Sequence, residues 1–134
     1  MRSRWFAAAL LGLSMGALLA APVVSATPAQ SPKRECFASR DWNGWKASPD
    51  AKSIYIRVGV SKIYRINLAH ACTALQSAGV YLVTRLHGSP WICHPLDLDL
   101  RVSDGHGFRT SCMVSDITPL SAEEAAALPR ELWP

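Results

Sequence analysis

Cys36, Cys72, Cys93 and Cys112 are the only cysteines in a chain of 134 residues, and all four lie behind an apolar N-terminal segment. Arg2 and Arg4 precede an uncharged, largely apolar run from Trp5 to Ala21; Pro22 ends it, and Val24-Ser25-Ala26 offers small residues to a signal peptidase. That order of charged, apolar and small residues is a secretory signal, so residues 1–26 are read as a signal peptide cleaved after Ala26. A bilayer anchor of about 17 residues would be at the short end of spanning length, and the Gly, Ser and small-residue ending favour cleavage. The expected product is exported, periplasmic or secreted, with no stable membrane span after cleavage. Export carries the thiols into an oxidising compartment, where an even number of cysteines in a short chain reads as two disulfides.

The cysteine spacing excludes other uses. Separations of 36, 21 and 19 positions contain no C-x-x-C, so a thioredoxin-like centre has no support. They also lack the closely paired ligands of a structural zinc site. Charge excludes a further class. The chain has 14 Lys+Arg and 10 Asp+Glu. Loss of Arg2 and Arg4 leaves 12 against 10, without the basic cluster that nucleic-acid binding requires.

Behind the signal, residues 27–34 are Thr, Pro, Ala, Gln, Ser, Lys and Arg with no large apolar side chain, and are expected to be flexible. Residues 35–134 are read as one disulfide-stabilised domain. Cys36 to Trp45 reads as a first strand, and Ser48-Pro49-Asp50 as a turn. Ile54, Ile56, Val58 and Val60 alternate with Tyr55, Arg57 and Gly59, and Tyr64, Ile66 and Leu68 alternate with Arg65 and Asn67. Both have the period of a half-buried strand. Ala71, Cys72, Leu75 and Ala78 recur at helical spacing ahead of Gly79, which predicts a short internal helix. Val80–Leu86 reads as a strand, and Leu96, Leu98, Leu100 and Val102 alternate with Asp97, Asp99 and Arg101. Asp104-Gly105-His106-Gly107 turns into a return strand over Phe108–Ile117. Ser121-x-x-Glu124 is a capping box for a short C-terminal helix that Pro129 ends.

The fold expected is mainly β: a small antiparallel sheet or barrel of about six strands, with a short internal helix, a short C-terminal helix and two disulfides. Of three possible connectivities, the nested one is expected. Cys72–Cys93 flank the Val80–Leu86 strand, and Cys36–Cys112 join the first strand to the last.

Cys36-Phe37, Ile54-Tyr55-Ile56-Arg57-Val58-Gly59, Tyr64-Arg65-Ile66-Asn67-Leu68, Cys72-x-x-Leu75, Ile92-Cys93-x-x-Leu96-Asp97 and Cys112-x-Val114-x-x-Ile117-x-x-Leu120-Ser121-x-Glu123-Glu124 form a recognisable series. In these segments the chain resembles an uncharacterised family of small exported bacterial four-cysteine proteins, a domain of unknown function. The resemblance runs from about Glu35 to Leu128. It implies no activity, cofactor or catalytic residue.

Two clusters carry candidate chemistry. Cys93, His94, Asp97, Asp99, Asp104 and His106 are ligand types for a divalent metal. Asp97, Asp99 and Arg101 also fit a solvated strand face, and Asp104 fits a turn. A Cys93–His94 nucleophile pair is disfavoured, because adjacent strand residues point to opposite faces and Cys93 is expected to be oxidised. There is no G-x-S-x-G elbow and no glycine-rich phosphate loop. The second cluster is aromatic and basic: Trp42, Trp45, Tyr55, Tyr64 and Trp91 with Arg57 and Arg65, joined by Tyr81 and Arg85. Such residues anchor interfaces, and equally cover the core and edges of small β domains. The reading is an exported, non-enzymatic domain that binds a protein or envelope component, an inhibitor of a secreted enzyme among the options. The alternative is a small metal-dependent protein or enzyme built on the Cys93–His106 region. No cofactor is expected.

Overall fold

The computed structural model describes residues 35–134. The expected signal peptide at 1–26 and the expected flexible segment 27–34 lie outside the described residues. Among the described residues, nine short strands form three antiparallel sheets. β1 (Phe37–Ala38) pairs with β6 (Trp91–Ile92). β2 (Trp42–Ala47), β3 (Ser53–Val58), β4 (Lys62–Leu68) and β9 (Val114–Pro119) form a four-stranded sheet in that order. β5 (Tyr81–Leu86), β7 (Leu98–Ser103) and β8 (Arg109–Ser111) form the third.

The alternation read in β3 and β4 is what the sheet uses. Ile54, Ile56 and Ile66 are fully buried, and the register sets Ile54 opposite Ile66 and Ile56 opposite Tyr64. Each such isoleucine contributes roughly 1.5–3 kcal/mol of transfer free energy. Leu98, Leu100 and Val102 of β7 join the same cluster, so the two larger sheets share one core. Between β3 and β4 the chain reverses at Gly59 with φ +62°, a left-handed conformation that costs glycine nothing.

Three expectations change. The first strand is interrupted by a 3₁₀ turn at Ser39–Asp41, giving β1 and β2 to different sheets. The internal helix is a single 3₁₀ turn over Thr73–Gln76, with Leu75 as its buried residue. So short a segment has too few hydrogen bonds to offset helix nucleation. The return strand divides into β8, which pairs with β7, and β9, which pairs with β4. The transfer takes two residues: the Cys112 N–H donates to the Leu100 carbonyl, and the Ala69 N–H donates to the Met113 carbonyl.

The disulfides are Cys36–Cys93 and Cys72–Cys112, which corrects the nested pairing. Register explains the first. Phe37 faces Ile92 and Ala38 faces Trp91, so one step back Cys36 faces Cys93, with Cα atoms 4.3 Å apart. The second joins the turn after β4 to the residue where the chain changes sheets.

The capping box forms as read. The Ser121 Oγ accepts from the Glu124 N–H at 3.1 Å, and the Glu124 carboxylate accepts from the Ser121 N–H at 2.8 Å. These bonds open α1 (Ala122–Ala126). The tail then returns to the four-stranded sheet, where a Cβ on Gly44 would stand 3.3 Å from the Pro134 carbonyl carbon. Gly44, at φ +59°, bulges β2 between Asn43 and Trp45.

Candidate functional site

The residues singled out as a binding surface divide between the two sides of the four-stranded sheet. Trp42 and Trp45 are half-buried on the core side, where they face Val58 and Ile56. Tyr55, Arg57 and Arg65 alternate to the other side. Tyr64 is not a surface residue at all. It is 1% exposed, its ring centre 4.7 Å from that of Phe37, because the alternation of β4 turns it inward with Ile66 and Leu68. Trp91 is half-exposed on the short strand β6. These residues therefore supply a core, a polar sheet face and one separate aromatic.

The Cys93–His106 residues hold turns and pairs. Cys93 is bonded to Cys36. The Asp97 carboxylate accepts from the backbone N–H groups of Cys93 at 2.9 Å and His94 at 2.8 Å, and these bonds hold its pKa below the usual carboxylate value. Asp99 accepts from Arg101 at 2.9 Å, and that bond and the guanidinium charge lower its pKa against the opposing effect of burial. Asp104 closes the β7–β8 turn by accepting from the N–H groups of His106 and Phe108. Among the described residues no three His, Cys, Asp or Glu side chains gather in a way that could hold a metal ion.

A different place combines a groove with exposed apolar side chains. Beside the Cys72–Cys112 bridge lies an open groove of about 590 Å³, lined by His70, His87, Asp99, Leu96 and Met113 among others. Leu96 is 88% exposed and Met113 is 71% exposed. Two large apolar side chains are thus exposed at one groove, where single exposed residues of this kind are usually scattered. Each is placed by its backbone. Leu96 sits in a 3₁₀ turn, Pro95–Asp97, that Asp97 caps, so it does not continue the inward row of β7. Met113 occupies the change of sheets, held by its carbonyl's bond to the Ala69 N–H and by the neighbouring disulfide.

Sequence reading placed Leu96 in the buried row and passed over Met113, His70 and His87. Pro95 was the available signal for Leu96, because a residue without an N–H marks the end of a ladder. Nothing local marked Met113; its exposure follows from pairing partners remote in sequence.

Chemically, the groove can hold an apolar group at Leu96 and Met113 and offer polar contacts from two imidazoles. Its cysteines are oxidised and its carboxylate is engaged by Arg101. Fold and site together define a disulfide-bridged, mainly β domain with a groove flanked by apolar side chains. The chain belongs to a family of unknown function, DUF6491, which it matches over residues 1–132. Neither a curated protein nor a solved structure matches the sequence.

Proposed function

We propose that the chain is an exported binding module whose groove beside Cys72–Cys112 takes an apolar segment of a protein partner. The observation that carries this reading is the joint exposure of Leu96 and Met113 at a site the disulfide holds in place. Rigid presentation lowers the entropy lost on binding, which is what a small module with a shallow groove needs. Asp99, kept ionised by Arg101, favours this reading over proton-transfer chemistry.

Export is supported by the order of residues in 1–26 and by the two disulfides, which persist in oxidising compartments. Among the described residues no helix is long and apolar enough to cross a membrane. Mass spectrometry of the protein recovered from the producing cell is expected to find a chain that begins at Thr27. A full-length chain retained in the membrane is the opposite result.

The groove is tested with Leu96→Ser and Met113→Ser together. Both side chains are exposed, so the unfolding free energy is expected to change by no more than the range of surface substitutions, about ±0.5 kcal/mol. A photoreactive residue at position 113 is expected to cross-link one protein partner in the native envelope, and the Leu96→Ser change to abolish the cross-link. Retained cross-linking in that variant would show that the groove is not the docking surface.

A further inference from the structure

Strand edges are where this fold leaves backbone groups without a neighbour, and three of the four edges of the larger sheets are guarded. β2 is bulged at Gly44, with the C-terminal Pro134 against it. β9 ends in Pro119 and carries Asp116, and β8 is three residues long. Bulges, charge, proline and shortness are the devices that keep an edge from pairing. β5 has neither bulge nor proline, carries a single charge and is six residues long. It keeps an unbroken register with β7 from Tyr81 to Leu86, it contains no glycine or proline, and its one charge is Arg85. In an antiparallel pair alternate residues turn both backbone groups away from the partner, so among the described residues the outer side of β5 presents a row of donors and acceptors.

Its side chains state what strand would fit there. Leu82 and Leu86 pack against the core, which leaves Tyr81, Val83 and Arg85 on the opposite face. Register extends that face across the sheet: Tyr81 to Ser103 and Arg109, Val83 to Arg101 and Ser111, Arg85 to Asp99. Three arginines share the face with one carboxylate, and Asp99 is already bonded to Arg101. A second copy paired edge to edge with the faces aligned would put six arginines, three from each chain, beside two aspartates. Like charges so placed oppose self-pairing, and they favour a strand of opposite charge.

We propose that β5 accepts an extended acidic segment of another polypeptide as an added fourth strand. The pairing edge itself, the outer side of β5, is not part of the groove, although Asp99 and Ser111 on the adjoining face also line it. Backbone pairing to β5 supplies affinity, an acidic side chain opposite Arg85 supplies selectivity, and an apolar one opposite Val83 continues the sheet. Arg109 lies two strands away, roughly 10 Å, about one Debye length at 0.1 M salt, so its effect is weaker and more sensitive to salt.

The test uses the intact oxidised protein and a soluble peptide that alternates glutamate with valine and threonine, matched in length to β5. Hydrogen exchange is expected to slow at alternate amides of β5. Arg85→Glu is expected to weaken binding about tenfold, and Arg109→Glu by less, with the difference shrinking in high salt. A peptide with lysine in place of glutamate is expected to bind more weakly than the acidic one. Unchanged exchange at β5 under saturating peptide would overturn the proposal, as would equal binding of the lysine peptide. Concentration-dependent dimerisation that protects β5 without peptide would also overturn it, by making a second copy the occupant. None of these outcomes depends on Leu96 or Met113, so the groove stands or falls separately.

Discussion

Replacing Cys72 and Cys112 together with alanine is expected to lower the domain's stability by about 4 kcal/mol, read as a shift in the denaturant midpoint. The bridge closes a loop with a sequence separation of 40, and the chain-entropy relation gives about 4 kcal/mol for that length. Cys36–Cys93, with a separation of 57, gives nearly the same figure. The two are not equivalent in the folded state. Cys36–Cys93 extends a ladder that β1 and β6 already form, whereas Cys72–Cys112 stands where the chain leaves the three-stranded sheet for the four-stranded one. Both of its sulfur-bearing residues are buried, at 7% and 4% exposure, so alanine leaves unfilled space between the sheets as well. The Cys72/Cys112 variant is therefore expected to be the less stable of the two pairs. The loops interleave and share residues 72–93, so the second closure acts on a chain the first has already shortened. Removing both bridges is expected to cost less than the sum, yet enough to unfold a domain whose whole stability is of order 5–15 kcal/mol. A loss under about 1 kcal/mol in the Cys72/Cys112 variant would show that hydrophobic packing alone sets the sheets together.

Local signals in this chain were legible to the extent that their partners were local. Ile54, Ile56 and Val58 declare an inner face by alternation, and the hairpin partner that completes them, Ile63–Leu68, follows within a few residues. The Asp104 turn and the Ser121–Glu124 capping box are self-contained, and both form as read. The disulfide pairing and the division of the return strand depended on contacts distant in sequence. The Cys36–Cys93 bridge follows from the pairing of β1 with β6, two strands of two residues each, too short to show a period. The return strand looked continuous because apolar spacing does not say which strand each half will join; β8 found β7 and β9 found β4. Met113 is exposed for that reason alone, and with it half of the groove's apolar flank. Tyr64 was misplaced differently. Its own alternation with Ile66 and Leu68 gave the inward direction, but its amphipathic chemistry fits interface and core alike.

That ambiguity makes Tyr64→Ala the sharpest probe of the core. The ring is 1% exposed, packs on Phe37, and lies in register between Ile56 on β3 and Pro119 on β9. Truncating a buried aromatic removes its transfer free energy and leaves a cavity that rigid neighbours only partly fill, together about 3–5 kcal/mol. Trp91→Ala, at a residue half-exposed on a two-residue strand, is expected to cost about 1 kcal/mol or less. Tyr64→Phe keeps the ring and is expected to keep most of the stability at neutral pH, and it separates the variants at alkaline pH. Burial raises the Tyr64 pKa, an effect that nearby Glu35 reinforces and Lys62 opposes. The folded state therefore holds the phenol proton at pH values where the unfolded chain has released it. Stability from this group is fully present below the ordinary tyrosine value of about 10, and is lost as pH rises through the raised one. The native protein is expected to lose stability over that alkaline interval more steeply than Tyr64→Phe, in denaturant melts taken at matched ionic strength. If Trp91→Ala proves more damaging than Tyr64→Ala, the packed centre lies at β6 and not at the Phe37–Tyr64 contact. If the two alkaline profiles coincide, the Tyr64 phenol is open to water in the folded protein.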